Sequence, residues 1–286
     1  MWPEAIAIIS AMGWAGDAVL VRIGARSSNI IAAAFMSYAL AAFWLWAYLF
    51  VYVPFDLLWS PATIYFFLSG CLQPLLARIL YYMGITRIGV SRAGPVRGSE
   101  PLVSVALAVV FLHEQPNAFV YGGTVLIIAS VWLILWRRSG EARWNVFDVV
   151  FPLGAALCGA VSQTLRRAGL LLLPDPFIGA AIGSTTSLVI FAAFLTVTGR
   201  FHLARPERQS LPFFGSAAVL SAGAQIMNFA ALSMGEVSAM VPLFNTTPLF
   251  TVAFSAMFLR DLEKVTPRIV LGAIGMVAGV ILISAR

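Results

Sequence analysis

Four ionisable side chains lie deep inside long apolar runs of this 286-residue chain, where they could bind a charged small molecule: Asp17, Arg78, Arg97 and Glu100. An ionisable group at the centre of a membrane helix costs at least about 2.5–3.5 kcal/mol, so it marks either a pathway or a buried pair. A guanidinium fork binds both oxygens of a carboxylate, and a carboxylate can face an amine. The set suits a small zwitterion. Structural pairing is the open alternative, because Arg97 and Glu100 are three residues apart and Asp17 and Arg78 can join two helices.

The composition fits a chain that is solvated by lipid. It is 60% hydrophobic and 10% charged, with a mean hydropathy of +0.92, whereas a soluble domain has about 45–50% apolar and about 25% charged residues. The net charge of +6 is scattered between apolar runs and forms no basic face, so no nucleic-acid partner is expected. Cys71 and Cys158 fit small core residues and no metal or disulfide pattern.

Catalytic and nucleotide-binding motifs are absent from the sequence. The only histidines, His113 and His202, lie at the ends of apolar runs, and no His-Glu-x-x-His, Gly-x-Ser-x-Gly, Walker or Gly-x-Gly-x-x-Gly motif occurs. We therefore expect neither an enzyme nor an ATP-driven pump, and no cofactor or metal.

An internal repeat runs through the chain. Gly94-Pro95, Glu100-Pro101 and Phe111-Leu112-His113-Glu114 recur as Val241-Pro242, Thr247-Pro248 and Phe258-Leu259-Arg260-Asp261, all at an offset of 147 residues. Arg22-Ile23-Gly24 and Arg167-Ala168-Gly169 are related by an offset of 145. We predict two repeats, 1–137 and 144–286. A duplicated apolar chain with prolines inside hydrophobic segments is typical of a membrane transporter.

The second repeat carries amides and hydroxyls where the first carries charges. The offset of 147 maps Arg78 to Gln225 and Glu100 to Thr247, and the offset of 145 maps Asp17 to Ser162. Polar and aromatic residues at matched depth are predicted to line a central cavity and to bind substrate: Asp17, Arg78, Arg97, Glu100, Gln163, Asn228 and Asn245, with Trp14, Tyr81 and Tyr82 as aromatic walls.

Ten segments are long enough to span a membrane, which takes roughly 20 apolar residues: about 4–23, 30–52, 62–85, 89–112, 117–136, 147–167, 177–198, 212–234, 237–259 and 267–284. Loops after the odd spans hold nearly all the basic residues between spans, whereas the opposite side holds essentially Arg286. The odd loops are therefore predicted to be cytoplasmic and both termini periplasmic. Because each half has five spans, the second half enters the membrane inverted. The predicted fold is an all-α membrane protein of ten transmembrane helices in two inverted five-helix repeats around a central cavity.

Prolines interrupt the fourth and ninth spans. Pro95, Pro101, Pro242 and Pro248 each remove one backbone hydrogen bond, which is tolerated at membrane depth only inside protein or beside a wet cavity. We predict that these prolines flank the cavity and bend during gating. A fixed kink for packing is the alternative.

Small and acidic residues near the ends of the repeats have packing roles. Gly272, Gly275 and Gly279 form a stripe that either packs spans 5 and 10 on each other or forms the seam of a homodimer. A monomer is expected, with a dimer as the alternative. Glu114 and Asp261 end spans 4 and 9 and are expected to cap or pair at the interface.

The pattern resembles the EamA family of the drug/metabolite transporter superfamily. The resemblance covers the whole chain and rests on the proline-bearing fourth span of each repeat and its Phe-Leu-x-Glu/Asp ending: Pro95, Pro101, Phe111, Leu112 and Glu114, then Pro242, Pro248, Phe258, Leu259 and Asp261. It implies an inner-membrane exporter of amino acids or other small metabolites that works by alternating access. Members of similar size and layout export aromatic amino acids. Arg97 and Glu100 stand where the family usually has apolar or small residues.

Sequence and resemblance together favour a secondary transporter that exports small metabolites, above all amino acids, across the inner membrane. The alternatives are a structural or sensory membrane subunit without transport, and an exporter of hydrophobic drugs or cations. Without a nucleotide motif, transport follows the substrate's own gradient or exchange with an ion, and the sequence does not choose between these two.

A reporter that is active only in the cytoplasm should be silent when it is fused after Arg286, because the arginine asymmetry places the C terminus outside. The same reporter inserted after Arg138, in the loop that follows span 5, should be active and serves as the control. Strong activity after Arg286 would contradict the orientation without touching the fold.

Overall fold

Helices follow the apolar runs of the sequence in the computed structural model, which describes residues 2–88, 93, 96–135, 146–258 and 267–285. In this part of the chain the helices are α1 Trp2–Gly24, α2 Ile30–Tyr52, α3 Ala62–Gly70, α4 Ala77–Ile88, α5 Glu100–Phe111, α6 Ala118–Leu135, α7 Val150–Leu172, α8 Pro176–Val197, α9 Leu211–Met234, α10 Val237–Phe244, α11 Thr247–Phe258 and α12 Pro267–Ser284. Short 3₁₀ turns lie at Phe55–Trp59, Val146–Val149, Phe201–Ala204 and Arg208–Ser210. No strand occurs among the described residues, and the all-α prediction is confirmed.

Several helical stretches have the length and composition of membrane spans. In the described residues, 7 are long and apolar enough to cross a membrane. Three shorter apolar helices, Glu100–Phe111, Ala118–Leu133 and Val270–Ser284, fall where the fourth, fifth and tenth spans were predicted. Large apolar side chains such as Phe147 and Val197 are exposed, as expected for a surface that contacts lipid.

Spans 4 and 9 are interrupted at equivalent positions. A turn at Gly98 and Ser99 precedes α5, and a turn at Asn245 and Thr246 precedes α11. Pro101 and Pro248 are each the second residue of the helix that follows, where the missing N–H would have no helical partner. The two interruptions are separated by the same 147 residues as the sequence repeat.

Span 3 is also interrupted, although the sequence was interpreted as one continuous helix. Between α3 and α4 the segment Cys71–Leu76 forms a π-helical turn, in which Gln73 has φ −131° and ψ 131°. The ring of Pro74 disfavours the helical region for the preceding residue, which explains the extended conformation of Gln73. The corresponding helix of the second half, α9, runs without interruption from Leu211 to Met234.

Hydrogen bonds from polar side chains between the helices join the first half to the second. The Ser10 hydroxyl of α1 donates to the Ala224 carbonyl of α9 at 2.8 Å. The Trp46 indole N–H of α2 donates to Thr185 Oγ1 of α8 at 2.7 Å. The halves therefore share one interior, because hydrogen bonds that lipid cannot supply are made between them.

The glycine stripe in α12 packs against α6. A Cβ on Gly279 would lie 2.9 Å from the Gly123 carbonyl oxygen, and one on Gly123 would lie 2.7 Å from the Gly279 carbonyl oxygen. Gly275 lies against the Ser130 hydroxyl in the same way. Spans 5 and 10 thus approach backbone to backbone, which is the internal packing that the stripe suggested.

Glu114 caps a helix of the opposite half. Its two carboxylate oxygens accept hydrogen bonds from the backbone N–H groups of Val237, at 2.8 Å, and Ser238, at 2.9 Å. These are the first residues of α10, whose own preceding residue Glu236 makes no side-chain cap. A carboxylate at a helix N-terminus is stabilised by the unpaired N–H groups and the helix dipole. Glu114 therefore has the expected capping role, whereas Asp261 lies outside the described residues.

Replacing Glu114 with alanine should lower the free energy of unfolding by about 1.5–3 kcal/mol, the usual range for hydrogen bonds to a charged group. Glu114→Gln keeps one acceptor and should fall between this variant and the wild type. The readout is the apparent melting temperature of the purified protein in detergent. Glu207→Ala removes an exposed carboxylate and is the control. If Glu114→Ala had the same melting temperature as Glu207→Ala, the capping role of Glu114 would be contradicted.

Candidate functional site

Glu100 is held between the interrupted span 4 and α7. It is the first residue of α5 and is only 5% exposed. A Cβ on Gly159 of α7 would lie 2.6 Å from the carboxylate carbon, so only glycine leaves room for this carboxylate. Arg97, one turn earlier in the same span, donates from Nη1 to Glu100 Oε2. The pairing that was one of the two expectations for these residues is present.

One face of α7 continues the polar surface away from Glu100. Gly159, Gln163 and Arg166 are spaced by four and three residues, which places them on the same side of the helix. Gln163 is 5% exposed, and its Oε1 has no hydrogen-bond partner among the described residues. Arg166 is 4% exposed and donates from Nη1 to Asn228 Oδ1 of α9 at 2.9 Å. Gln163 and Asn228 are therefore brought to the same region as Glu100.

Arg166 is a buried charge that the sequence interpretation missed. The sixth span was predicted to end at residue 167, but α7 continues to Leu172. The leucines at positions 170–173 were the available signal, because they extend the apolar run beyond the two arginines. Arg166 thus lies within the helix and not at its end.

An aromatic pair packs beside Arg166. The guanidinium carbon lies 4.9 Å from the centre of the Phe229 ring, close enough for a cation–π contact. Phe229 meets Phe66 of α3 edge to face, with ring centres 5.9 Å apart. Both rings are fully buried and pack where Gly169 and Gly179 leave space. This packing fixes the ring that supports the Arg166 side chain.

Asp17 and Arg78 form a second charged locus. Asp17 lies on α1 and Arg78 follows the interruption of span 3 on α4. Arg78 acts electrostatically on Asp17, while Asp17 Oδ1 is buried and accepts no hydrogen bond within the described part of the chain. Trp14 and Tyr81 are half-buried on the same two helices, and for Tyr82 only the backbone is described. The predicted role of this locus in substrate binding stays a prediction.

The remaining predicted residues lie at the helix interruptions. Asn245 donates from Nδ2 to the Val241 carbonyl at 3.0 Å, so its amide N–H serves its own helix end. Pro101 and Pro242 are buried and Pro248 is half-buried, whereas Pro95 lies outside the described residues. Their role in gating stays a prediction.

Metal binding finds no support in the part of the chain that the structure describes. There, no three His, Cys, Asp or Glu side chains come close enough to hold an ion. The site offers guanidinium, carboxylate and amide groups on apolar walls, which can bind and orient a polar small molecule.

Comparison with known proteins identifies the family and the fold of this chain. The model of the EamA-like transporter family matches residues 1–136 and again 148–285. A solved structure, titled only as the crystal structure of a protein, superposes with a TM-score of 0.81 over 99% of this chain and 96% of the other, at 12% identity, which shows a shared fold. A search of curated proteins found no match. The family model covers both halves, and the chain belongs to the EamA-like transporter family.

Proposed function

We propose that this membrane transporter exports small zwitterionic metabolites, with amino acids as the leading class, across the inner membrane by alternating access. The observation that carries the proposal is the Glu100 carboxylate, buried at the interruption of span 4 together with Arg97. Membership of a transporter family supports the general activity. The buried charges support the class of substrate, because a charge at membrane depth marks a pathway or a pair.

A zwitterion can enter this pair without leaving a charge alone. When no substrate is bound, Arg97 and Glu100 satisfy each other. A substrate with a carboxylate and an ammonium group offers each of them a replacement partner, whereas a simple cation would leave Arg97 unpaired. Removing one partner of a buried pair is costly, so a doubly charged neutral ligand is favoured over either ion.

The interrupted helices supply the moving parts under this proposal. Glu100 is the first residue of α5, and Thr247 takes the equivalent place at the start of α11. Interrupted helices of this kind place helix ends beside substrate near the middle of the membrane. Rocking of the two repeats about these interruptions would open the site to each side in turn, with both termini in the periplasm.

Proteoliposomes that contain the protein and are loaded with labelled amino acids should release at least one of the twenty standard amino acids faster than liposomes without protein. Counterflow, in which unlabelled substrate outside accelerates exchange, separates carrier activity from leakage. Absence of counterflow for all twenty would contradict the amino-acid proposal and favour another metabolite class or a subunit without transport.

Removing the charged pair tests whether Arg97 and Glu100 contact the substrate directly. Arg97→Ala should lower export by roughly tenfold or more, the worth of a charge-assisted hydrogen bond, while folded protein remains in the membrane. Combining it with Glu100→Ala removes the stranded carboxylate and should restore thermal stability without restoring export. Transport and melting temperature are measured for each variant.

A matched control removes an ion pair at the surface. Arg87 pairs with Asp148 at 3.0 Å, with half of the arginine side chain exposed, so Arg87→Ala should change stability by at most about 1 kcal/mol and leave export intact. Full transport in the double variant of Arg97 and Glu100 would show that the buried pair is structural only.

A further inference from the structure

Arg166 is a buried arginine with unused donors. A guanidinium group has five N–H donors, and the hydrogen bonds of Arg166 in the described part of the chain amount to the one from Nη1 to Asn228. Its Nε–H is buried and has no partner there, and it makes no ion pair with a described carboxylate. The Phe229 ring supports one face of the cation but accepts no in-plane hydrogen bond.

The unused donors lie on the edge that binds carboxylates. Nε and Nη2 form one side of the guanidinium fork, and two parallel N–H bonds from such an edge fit the two oxygens of a carboxylate. Asn228 occupies Nη1 and thereby fixes the plane of the group. The arrangement leaves the side edge for an acceptor that the protein itself does not provide among the described residues.

The surroundings of Arg166 suit a ligand with two opposite charges. The Glu100 carboxylate packs against Gly159, which lies on the same face of α7 as Gln163 and Arg166. Gln163 precedes it by one turn, with a buried and unpartnered Oε1 that can accept a hydrogen bond from an ammonium group. The Glu100 carboxylate also interacts electrostatically with the Arg166 guanidinium. Guanidinium, amide and carboxylate therefore follow one another along a single face of α7.

We infer that Arg166 binds the carboxylate of the transported molecule, with Gln163 and Glu100 facing its ammonium group. The inference rests on the proposed function and assigns a specific contact within it. Arg166 adds a second guanidinium to the contact that Arg97 makes with the substrate carboxylate under the proposed function, and it is an arginine that comparison of the repeats did not single out. The ligand class that follows is a small carboxylate-bearing zwitterion.

The neighbouring arginine provides an internal control. Arg167 donates from Nη1 to the carbonyl oxygens of Leu232, at 2.6 Å, and Ser233, at 3.0 Å, at the C-terminal end of α9. Its role is to close that helix end. The two adjacent arginines thus differ in burial: Arg166 is buried with an unpartnered Nε, whereas Arg167 is half-buried and donates from Nη1 to two carbonyl oxygens.

The test measures ligand affinity by thermal shift on the full-length protein in detergent. The probes are the twenty standard L-amino acids, 3-phenylpropionate as a carboxylate without an amine, and phenethylamine as an amine without a carboxylate. We expect at least one amino acid to bind, 3-phenylpropionate to bind more weakly, and phenethylamine not to bind. Arg166→Gln should weaken the binding of the carboxylate-bearing probes roughly 10- to 100-fold. Arg166→Lys keeps the charge but lacks the guanidinium fork, so its affinity should lie between those of Arg166→Gln and the wild type.

Arg167→Gln should melt at a lower temperature and bind the probes with unchanged affinity, as a structural arginine does. The inference is overturned if Arg166→Gln or, should that variant not fold, Arg166→Lys binds carboxylates like the wild type. It is equally overturned if no carboxylate-bearing probe binds the wild type, or if phenethylamine binds as tightly as phenylalanine.

Failure of the proposed function leaves a different signature. Arg166-dependent binding of 3-phenylpropionate without counterflow of any amino acid would remove the transport proposal and keep the carboxylate site. Amino-acid counterflow that survives Arg166→Gln unchanged would keep the transport proposal and remove this assignment.

Discussion

Lipid offers no hydrogen bonds, and this constraint governs every interrupted helix and buried charge in the structure. At the interruption of span 9, Asn245 and Thr247 return hydrogen bonds to the carbonyls of Val241 and Phe244. At the interruption of span 4, the Glu100 carboxylate accepts a hydrogen bond from Arg97 and occupies the space that Gly159 leaves free. Several buried side-chain atoms of the described residues have no hydrogen-bond partner, among them Asp17 Oδ1, Gln163 Oε1 and Arg166 Nε.

The two repeats share a backbone plan but not its chemistry. Both place a two-residue turn and then a proline at the same offset. The hydroxyl of Thr247 is satisfied locally by its own span, whereas the carboxylate of Glu100 reaches across to α7. Span 3 is interrupted at Gln73, whereas α9 of the second half is continuous. Duplication therefore preserves the breaks of spans 4 and 9 but not that of span 3, which lies in the half that carries the charges.

Most of the fold could be predicted from the sequence, because membrane depth and helix geometry fix the length of an apolar run. The second span was predicted at 30–52, and α2 covers these residues. The paired prolines indicated interruptions, and these occur before Pro101 and Pro248. The break at Gln73 was missed, since the effect of Pro74 on the residue before it was not weighed against the apolar run around it.

Tertiary partners were harder to predict than helices. Arg166 was overlooked because the sixth span was ended one residue beyond it, where an arginine can reach the membrane surface. Asn245 was predicted to line the cavity, and the hydrogen bond from its amide Nδ2 to Val241 of its own helix could not be predicted from the repeat. The capping role of Glu114 was foreseen, yet its partner was not, because a contact with Val237 and Ser238 depends on how the two halves meet.

Under the proposed function, the face of α7 that carries Gly159, Gln163 and Arg166 couples substrate binding to the position of α5. Glu100 begins α5, and its carboxylate packs against Gly159 of α7. Arg166 belongs to the continuous helix α7 and is fixed by Asn228 and Phe229. A zwitterion held between them would therefore have one end on a rigid helix and the other on the end of an interrupted one. Substrate binding at such a site would favour one position of α5 over another, because the interruption before α5 leaves that helix free to move.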